Sequence, residues 1–385
     1  MQLSPDQQIV FDAVMAWYNE NSAPYQTVGG FSGCGKTTLI TKLVEELSTT
    51  TEIACACFTG KATNVLQQKL TTPVEISTIH SLIYESELIN DGKKSYWIHH
   101  LKYNLPYELI IIDEASMISQ DIFNDLLSFN IPVLFVGDHG QLPPVNDSFN
   151  IMKNPTLKLE KIHRQAEGNP IIKWSMWVRE GKLLPYTKEE TDMGSIQRIK
   201  ADITDDLLKN KTMNDLPLFI CGTNRTRQHI NKKVRKHLFN NNSTLQLTEK
   251  VICLKNNKKK QIFNGQVGII ADITNEDCDV NHIAATIEMD GGSFFSGKLL
   301  KEQFGFLPQG SYQTFEDYVR SLKINPMFVH RFDYGYCLTT HKAQGSQAPT
   351  VVVYNENIYR SEPAMYRRWL YTAITRAEKN LILIG

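Results

Sequence analysis

The sequence predicts an α/β protein with two units built on parallel sheets, interrupted by a hairpin and by a small antiparallel barrel. Three observations carry that reading. Short, continuous apolar runs ending in Gly, Asp or Thr, each followed by a helical or polar stretch, recur at both ends of the chain, as buried parallel strands require. Between them the pattern switches to alternation, with Val267, Ile269, Ile273 and Ile287 set among Asn264-Gly265 and Gly291-Gly292 turns. The 385 residues are 42% hydrophobic and 21% charged, which supports a core in two or three compact units and excludes a disordered or fibrous chain.

In chain order, strands are expected at 26–28, 52–58, 109–112 and 132–136 in the first unit, and at 218–221, 336–339, 350–354 and 380–384 in the second. The first unit is expected to comprise 1–81 and 108–163, and the second 164–250 and 332–385. Residues 82–107 hold Asn90-Asp91-Gly92 between Tyr84 and the Tyr96-Trp97 pair, which reads as a hairpin. Residues 251–331 are the expected barrel.

The 41 Lys and Arg balance the 41 Asp and Glu, so no global field announces a nucleic acid and any such site must be local. The longest apolar runs are strand-sized, far short of the roughly 20 residues of a membrane helix. A polar start through Gln2, Ser4, Asp6 and Gln7 argues against a secretory signal, and a cytoplasmic protein is expected. Seven scattered cysteines suit neither a disulfide framework nor a zinc site, and Cys55 and Cys57 read as small buried hydrophobes on one strand face.

Gly30-Phe31-Ser32-Gly33-Cys34-Gly35-Lys36-Thr37 satisfies the phosphate-loop pattern, and it lies between an expected strand and an apolar helix through Leu39, Ile40, Leu43 and Leu47. Gly33, Cys34, Gly35, Lys36, Thr37 and Thr38 are the expected nucleotide-binding set. Lys36 neutralises the outer phosphates and Thr37 ligates Mg2+. Cys34 is expected to fill space. Asp113 and Glu114 follow four apolar residues at a strand end, where open sheets bind ligands. Asp113 then serves the metal and Glu114 the hydrolytic water.

Further motifs follow in order. Residues 136–145 (Val-Gly-Asp-His-Gly-Gln-Leu-Pro-Pro-Val) resemble motif III of superfamily 1 helicases, 338–346 (Leu-Thr-Thr-His-Lys-Ala-Gln-Gly-Ser) motif V, and 371–377 (Tyr-Thr-Ala-Ile-Thr-Arg-Ala), placed on the last strand, motif VI. With Gln7, 77–81 and 163–165 added, the likeness spans nearly the whole chain and points to the RecD-like, phage Dda-like branch. The resemblance implies two RecA-like domains and ATP-driven translocation 5′ to 3′ on single-stranded DNA with duplex unwinding. It assigns Gln7 to the adenine, Gln141 to γ-phosphate sensing, and Arg164 and Arg376 to transition-state charge. With one phosphate loop for two α/β units, the second unit is expected to act as a lid that supplies cations.

On the nucleic-acid side, the family's contact segment after the second strand reads Phe58-Thr59-Gly60-Lys61-Ala62 here in place of the usual Ala-Pro-Thr. Thr59 is the implied contact, joined by Thr78, His80 and His341; His80 reads equally as a structural histidine. Tyr96 and Trp97 either wedge a fork or anchor their hairpin. A helix over 225–237 carries six Lys and Arg on one face, as a solvated surface or a DNA groove. The expected partners are single-stranded and forked DNA and replication or single-strand-binding proteins, acting with a monomer, and no membrane. Two other readings are a DNA-stimulated translocase that remodels protein-DNA complexes without unwinding, and a nucleotide-switched protein-binding module.

Overall fold

The computed structural model describes residues 3–90, 95–144, 149–161, 168–240, 244–255, 262, 264–274, 282–290, 294–306, 314–324 and 329–385, without the side chains of 61, 86–90 and 95–99. Residues 1–196, 344–347 and 359–380 form one compact unit, and 197–343, 348–358 and 381–385 form another. No helix among the described residues is long and apolar enough to cross a membrane.

The first unit opens with α1 (Pro5–Glu20), started by Pro5 at its first turn and closed by the left-handed Asn21. There follow β1 (Tyr25–Gly30), α2 (Lys36–Leu47), β2 (Ile53–Cys57), α3 (Gly60–Lys69), β3 (Glu75–Thr78), α4 (Ile79–Ile83), β4 (Tyr84–Asn90), β5 (Ser95–Leu101), β6 (Leu109–Asp113), α5 (Gln120–Leu127), β7 (Val133–Gly137), β8 (Leu157–Leu159), α6 (Pro170–Arg179) and β9 (Lys188–Thr191). Strands pair in the order β3-β2-β6-β7-β1-β8, and every pair is parallel.

The continuous apolar runs are explained by burial on both faces of this sheet. Cys55, Cys57, Leu109, Ile111, Leu134 and Val136 pack with α1 and α2, while Ala54, Ala56, Ile110, Ile112, Val133 and Phe135 pack with α4 and α5. Burial drives the Cys55 thiol up to about 12, so it is an inert hydrophobe. β4 and β5 pair antiparallel from Tyr84 opposite Leu101 to Asn90 opposite Ser95.

The remaining elements are β10 (Gly194–Ile199), α7 (Thr204–Leu208), β11 (Leu218–Cys221), α8 (Asn224–Phe239), β12 (Lys250–Cys253), β13 (Val267–Thr274), β14 (His282–Met289), β15 (Phe294–Leu300), α9 (Phe315–Ser321), β16 (Phe332–Tyr334), β17 (Cys337–Thr339), β18 (Ala348–Tyr354), α10 (Pro363–Ile374) and β19 (Ala377–Ile384). A second six-stranded sheet runs β17-β11-β18-β19-β10-β9, and β11 pairs parallel with both β17 and β18. The alternating region forms a five-stranded antiparallel sheet, β15-β14-β13-β12-β16. It curls, so that Phe295 of one edge strand meets Phe332 of the other with ring centroids 5.0 Å apart.

One expected element differs. Tyr371 to Ile374 end a helix, and the last strand starts only at Ala377. Pro363 starts that helix, and Trp369, Leu370, Ala373 and Ile374 then recur at helical spacing as buried positions, a period that outweighs the β-branched residues within it.

Candidate nucleotide and nucleic-acid sites

β1 delivers the chain to Gly30 at the carboxyl end of the parallel sheet. The loop then turns into α2 through Gly33 (φ 84°) and Gly35 (φ 82°), left-handed conformations that glycine adopts without strain. The first amides of α2 lack intrahelical acceptors and carry the positive end of the helix dipole. Thr37 and Thr38 are half-buried in this first turn. Cys34 is fully buried, and burial raises its thiol pKa.

The Lys36 ammonium donates to the carbonyls of Gly30 (2.8 Å) and Phe31 (3.1 Å). Burial opposes its charge, yet Asp138, Glu114 and Asp113 among its neighbours leave its pKa above the ordinary lysine value. Gln7 is buried against the same loop. Its Oε1 accepts from the Ser4 amide and hydroxyl, both at 3.1 Å, and its Nε2 lies 3.4 Å from the carbonyls of both Cys34 and Gly35.

Asp113 closes β6, and its Oδ1 accepts from the Glu114 amide at 2.8 Å. Burial, then the neighbouring Glu114 carboxylate, lift Asp113 to about 6 against the pull of Lys36. Glu114 has φ 55°, a strained conformation for a side chain of this size, of the kind found at functional sites. Its Oε2 is buried and has no hydrogen-bond partner among the described residues; the same holds for Gln141 Oε1. These two acceptors sit just beyond the ends of the paired strands β6 and β7. Buried acceptors without donors are rare and point to a ligand or water that supplies one.

Asp138 follows β7 and is fully buried. Its Oδ1 accepts from the Gly140 amide (2.8 Å), and its Oδ2 accepts from the Tyr371 hydroxyl (2.6 Å) and from Gln141 Nε2 (3.4 Å). The Tyr371 hydroxyl in turn accepts from the Ser32 amide of the phosphate loop at 2.9 Å. α10 grips this neighbourhood twice more: Arg368 donates to the carbonyls of His139 and Gln141, both at 2.9 Å, and Thr372 Oγ1 accepts from the Leu142 amide at 3.0 Å. Sequence reasoning passed over Asp138, Tyr371 and Arg368, although the first two stand inside quoted motifs. An acid immediately after an apolar strand was the available signal for Asp138.

Arg376 falls in the compact unit that also holds Lys36. It is buried, and its guanidinium donates to Thr372 O (3.0 Å), Thr375 Oγ1 (3.1 Å) and Ser346 O (3.4 Å). Arg164 lies outside the described residues. The His139 ring packs on Phe31 with centroids 3.9 Å apart, and burial lowers its pKa to about 4, so the imidazole is neutral at pH 7.

The nucleic-acid candidates divide. Thr59 caps α3 by accepting from the Ala62 amide (3.2 Å), and Thr78 caps α4 by accepting from the Ser81 amide (3.2 Å). Because Cys57 lies opposite Thr78, both caps come off the same end of the sheet. Gly345 (φ 71°) approaches Thr59 so closely that a Cβ there would meet its hydroxyl at 2.7 Å. His80 sits between the rings of Phe58 and Tyr84, at 6.1 and 5.8 Å. Tyr96 and Trp97 lie on β5 opposite Ile89 and Leu88; their side chains are outside the described set. His341 belongs to the other unit, half-buried, with its pKa lowered by burial.

Comparison with known proteins gives these arrangements a family. The AAA domain family matches residues 2–201, and the UvrD-like helicase C-terminal domain matches 334–384. The ATP-dependent RecD2 DNA helicase of Deinococcus radiodurans is 27% identical over 92% of this chain, and the ATP-dependent DNA helicase dda of Enterobacteria phage T4 is 27% identical over 62% of it. The chain spans about half the length of these curated relatives, 46% and 57% respectively. Among solved structures, Bacteroides Pif1 bound to ssDNA superposes with a TM-score of 0.55 at 18% identity, over 100% of this chain and 92% of that one, a likeness of fold. The chain therefore belongs to the family of that AAA domain, and its carboxyl-terminal match and its relatives are consistent with the superfamily 1 helicases of the RecD-like and phage Dda-like branch.

Proposed function

We propose that this chain is an ATP-dependent DNA helicase that translocates 5′ to 3′ on single-stranded DNA and opens duplex. The observation that carries the reading is the gathering of Lys36, Asp113, Glu114, Asp138 and Gln141 at the carboxyl ends of β1, β6 and β7, with two buried acceptors awaiting a donor. A phosphate chain on the loop meets amide hydrogens and the Lys36 ammonium. Glu114 Oε2 accepts a proton from the attacking water, and Gln141 Oε1 accepts a second hydrogen bond that fixes its orientation. The hard oxygens of Thr37 and Asp113 suit Mg2+, which when bound offsets phosphate charge.

The mechanical half of the proposal rests on Thr59, Thr78 and His80 at the neighbouring strand ends, a row of polar groups that suits a DNA backbone. The hydrogen-bonded path from Ser32 through Tyr371 to Asp138 and Gln141 ties the loop to α10, so a change in phosphate state is felt at the segment carrying Arg376. Relatives named as DNA helicases support ATP and DNA as substrates. A tailed-duplex assay tests the proposal: substrates bearing a 5′ tail are opened with ATP, and opening of 3′-tailed substrates alone contradicts it.

A further inference from the structure

We propose that Arg179 is a phosphate-binding residue of the nucleotide site, holding its guanidinium ready for the terminal phosphate of a nucleoside triphosphate on the 30–37 loop. The inference rests on the reading of that loop as an ATP site and adds to it a residue outside every motif quoted above. α6 is capped by Asn169 and started by Pro170, and it buries Ile171, Trp174 and Val178. That stripe anchors the helix and leaves Arg179 at its end, half-buried, with the guanidinium lying over the Phe31 ring. The His139 ring supports Phe31 at 3.9 Å. A guanidinium laid on an aromatic face gains from the ring quadrupole, while its N–H donors point outward from the edge, in the fork that matches a phosphate.

The position identifies which phosphate. Lys36, the cation of a phosphate loop that reaches the outer phosphates, rests on the carbonyls of Gly30 and Phe31. Phe31 therefore marks the outer-phosphate end, and Arg179 is stacked on that residue. Availability singles it out from the other described guanidinia of the neighbourhood, Arg368 and Arg376. Arg376 is engaged by Thr372, Thr375 and Ser346, and Arg368 by two carbonyls. Arg179 has no hydrogen-bond acceptor among the described residues. Asp138, whose charge it feels, already accepts from Gly140, Tyr371 and Gln141. Three acids and one lysine at the site leave room for a second cation once a triphosphate arrives.

Equilibrium titration of the full chain with ATPγS and with ADP, both in Mg2+, tests the assignment in wild type, Arg179→Ala and Arg179→Lys. The expected result is that Arg179→Ala weakens ATPγS by about 10-fold or more and ADP by less than about 2-fold, with Arg179→Lys between, since it keeps the charge and loses the fork. The unfolding midpoint without nucleotide stays near wild type in Arg179→Lys. Equal weakening of both nucleotides, as a purely structural staple on Phe31 gives, overturns the inference, and so does no weakening of either. A folded wild-type chain that binds neither nucleotide overturns the ATP reading itself, a result distinct from an Arg179 effect that is absent in a nucleotide-binding protein.

Discussion

Two basic regions of this molecule carry opposite lessons. α8 presents six Lys and Arg in its sequence, yet Arg227 is buried in an ion pair with Asp333 at 2.8 Å, Arg235 meets the buried Glu249, and Lys233 meets Asp202 at 3.0 Å. Half of its charge is thus paired, tying the helix to β16, to the residue before β12 and to the segment before α7. Around the phosphate loop Lys36 stands near Asp113, Glu114 and Asp138, and Arg179 near Asp138, while Arg368 and Arg376 are engaged by backbone carbonyls; Glu114 Oε2 and Gln141 Oε1 have no partner among the described residues. The number of charges did not locate function. At the loop, Glu114 Oε2 and Gln141 Oε1 stand near Lys36 beyond the ends of neighbouring strands, whereas the atoms of α8 without a partner among the described residues, Arg227 Nη1 and Gln228 Oε1, stand beside an ion pair of the core.

The comparison breaks most sharply at Glu114. Glu114→Gln keeps size and loop conformation and removes the base, so kcat for ATP is expected to fall by about 10²–10⁴-fold while ATP binding persists; steady-state kinetics with an ATP titration checks this. In the other region the largest effect is on stability. Arg227→Met leaves Asp333 buried and unpaired, which costs about 3–5 kcal/mol, and thermal unfolding should show it as a lowered midpoint.

Tyr371→Phe is intermediate, since it leaves the Ser32 amide without its acceptor and Asp138 Oδ2 with only Gln141 Nε2 at 3.4 Å, a loss of about 1–3 kcal/mol. Turnover should fall more than DNA affinity. Thr59→Ala removes a helix cap worth about 1 kcal/mol and a proposed backbone contact, so single-stranded DNA binding should weaken in a fluorescence titration.

The smallest effect concerns pH. His139 titrates near 4 when folded and near 6.5 when unfolded, so the unfolded chain binds more protons between those values and stability falls as pH drops through that window. His139→Gln should flatten that part of the unfolding-midpoint profile.

Much of this was legible in the sequence because the signals were local. A continuous apolar run predicts a doubly covered strand, and all eight expected strands are present at or within a few residues of their expected bounds. The phosphate loop and the Asp113-Glu114 pair carry their chemistry in adjacent residues. What escaped was set by tertiary partners. Asp138 and Tyr371 lie 233 residues apart in sequence, and nothing local says that a tyrosine will bridge a loop amide and a buried carboxylate. Nor could spacing tell that Arg227 would meet Asp333 in the core while Arg179 has no hydrogen-bond acceptor among the described residues. The helix at Tyr371 was misread as strand because short apolar runs are ambiguous without their length.

The central claim is that triphosphate hydrolysis at the 30–37 loop is coupled to single-stranded DNA. Steady-state ATPase rates measured with and without single-stranded DNA, for wild type and Glu114→Gln, test it most directly. The account predicts a rate raised severalfold or more by DNA and lost in the variant. A folded, nucleotide-binding protein whose turnover ignores DNA, or one whose turnover survives Glu114→Gln, contradicts it.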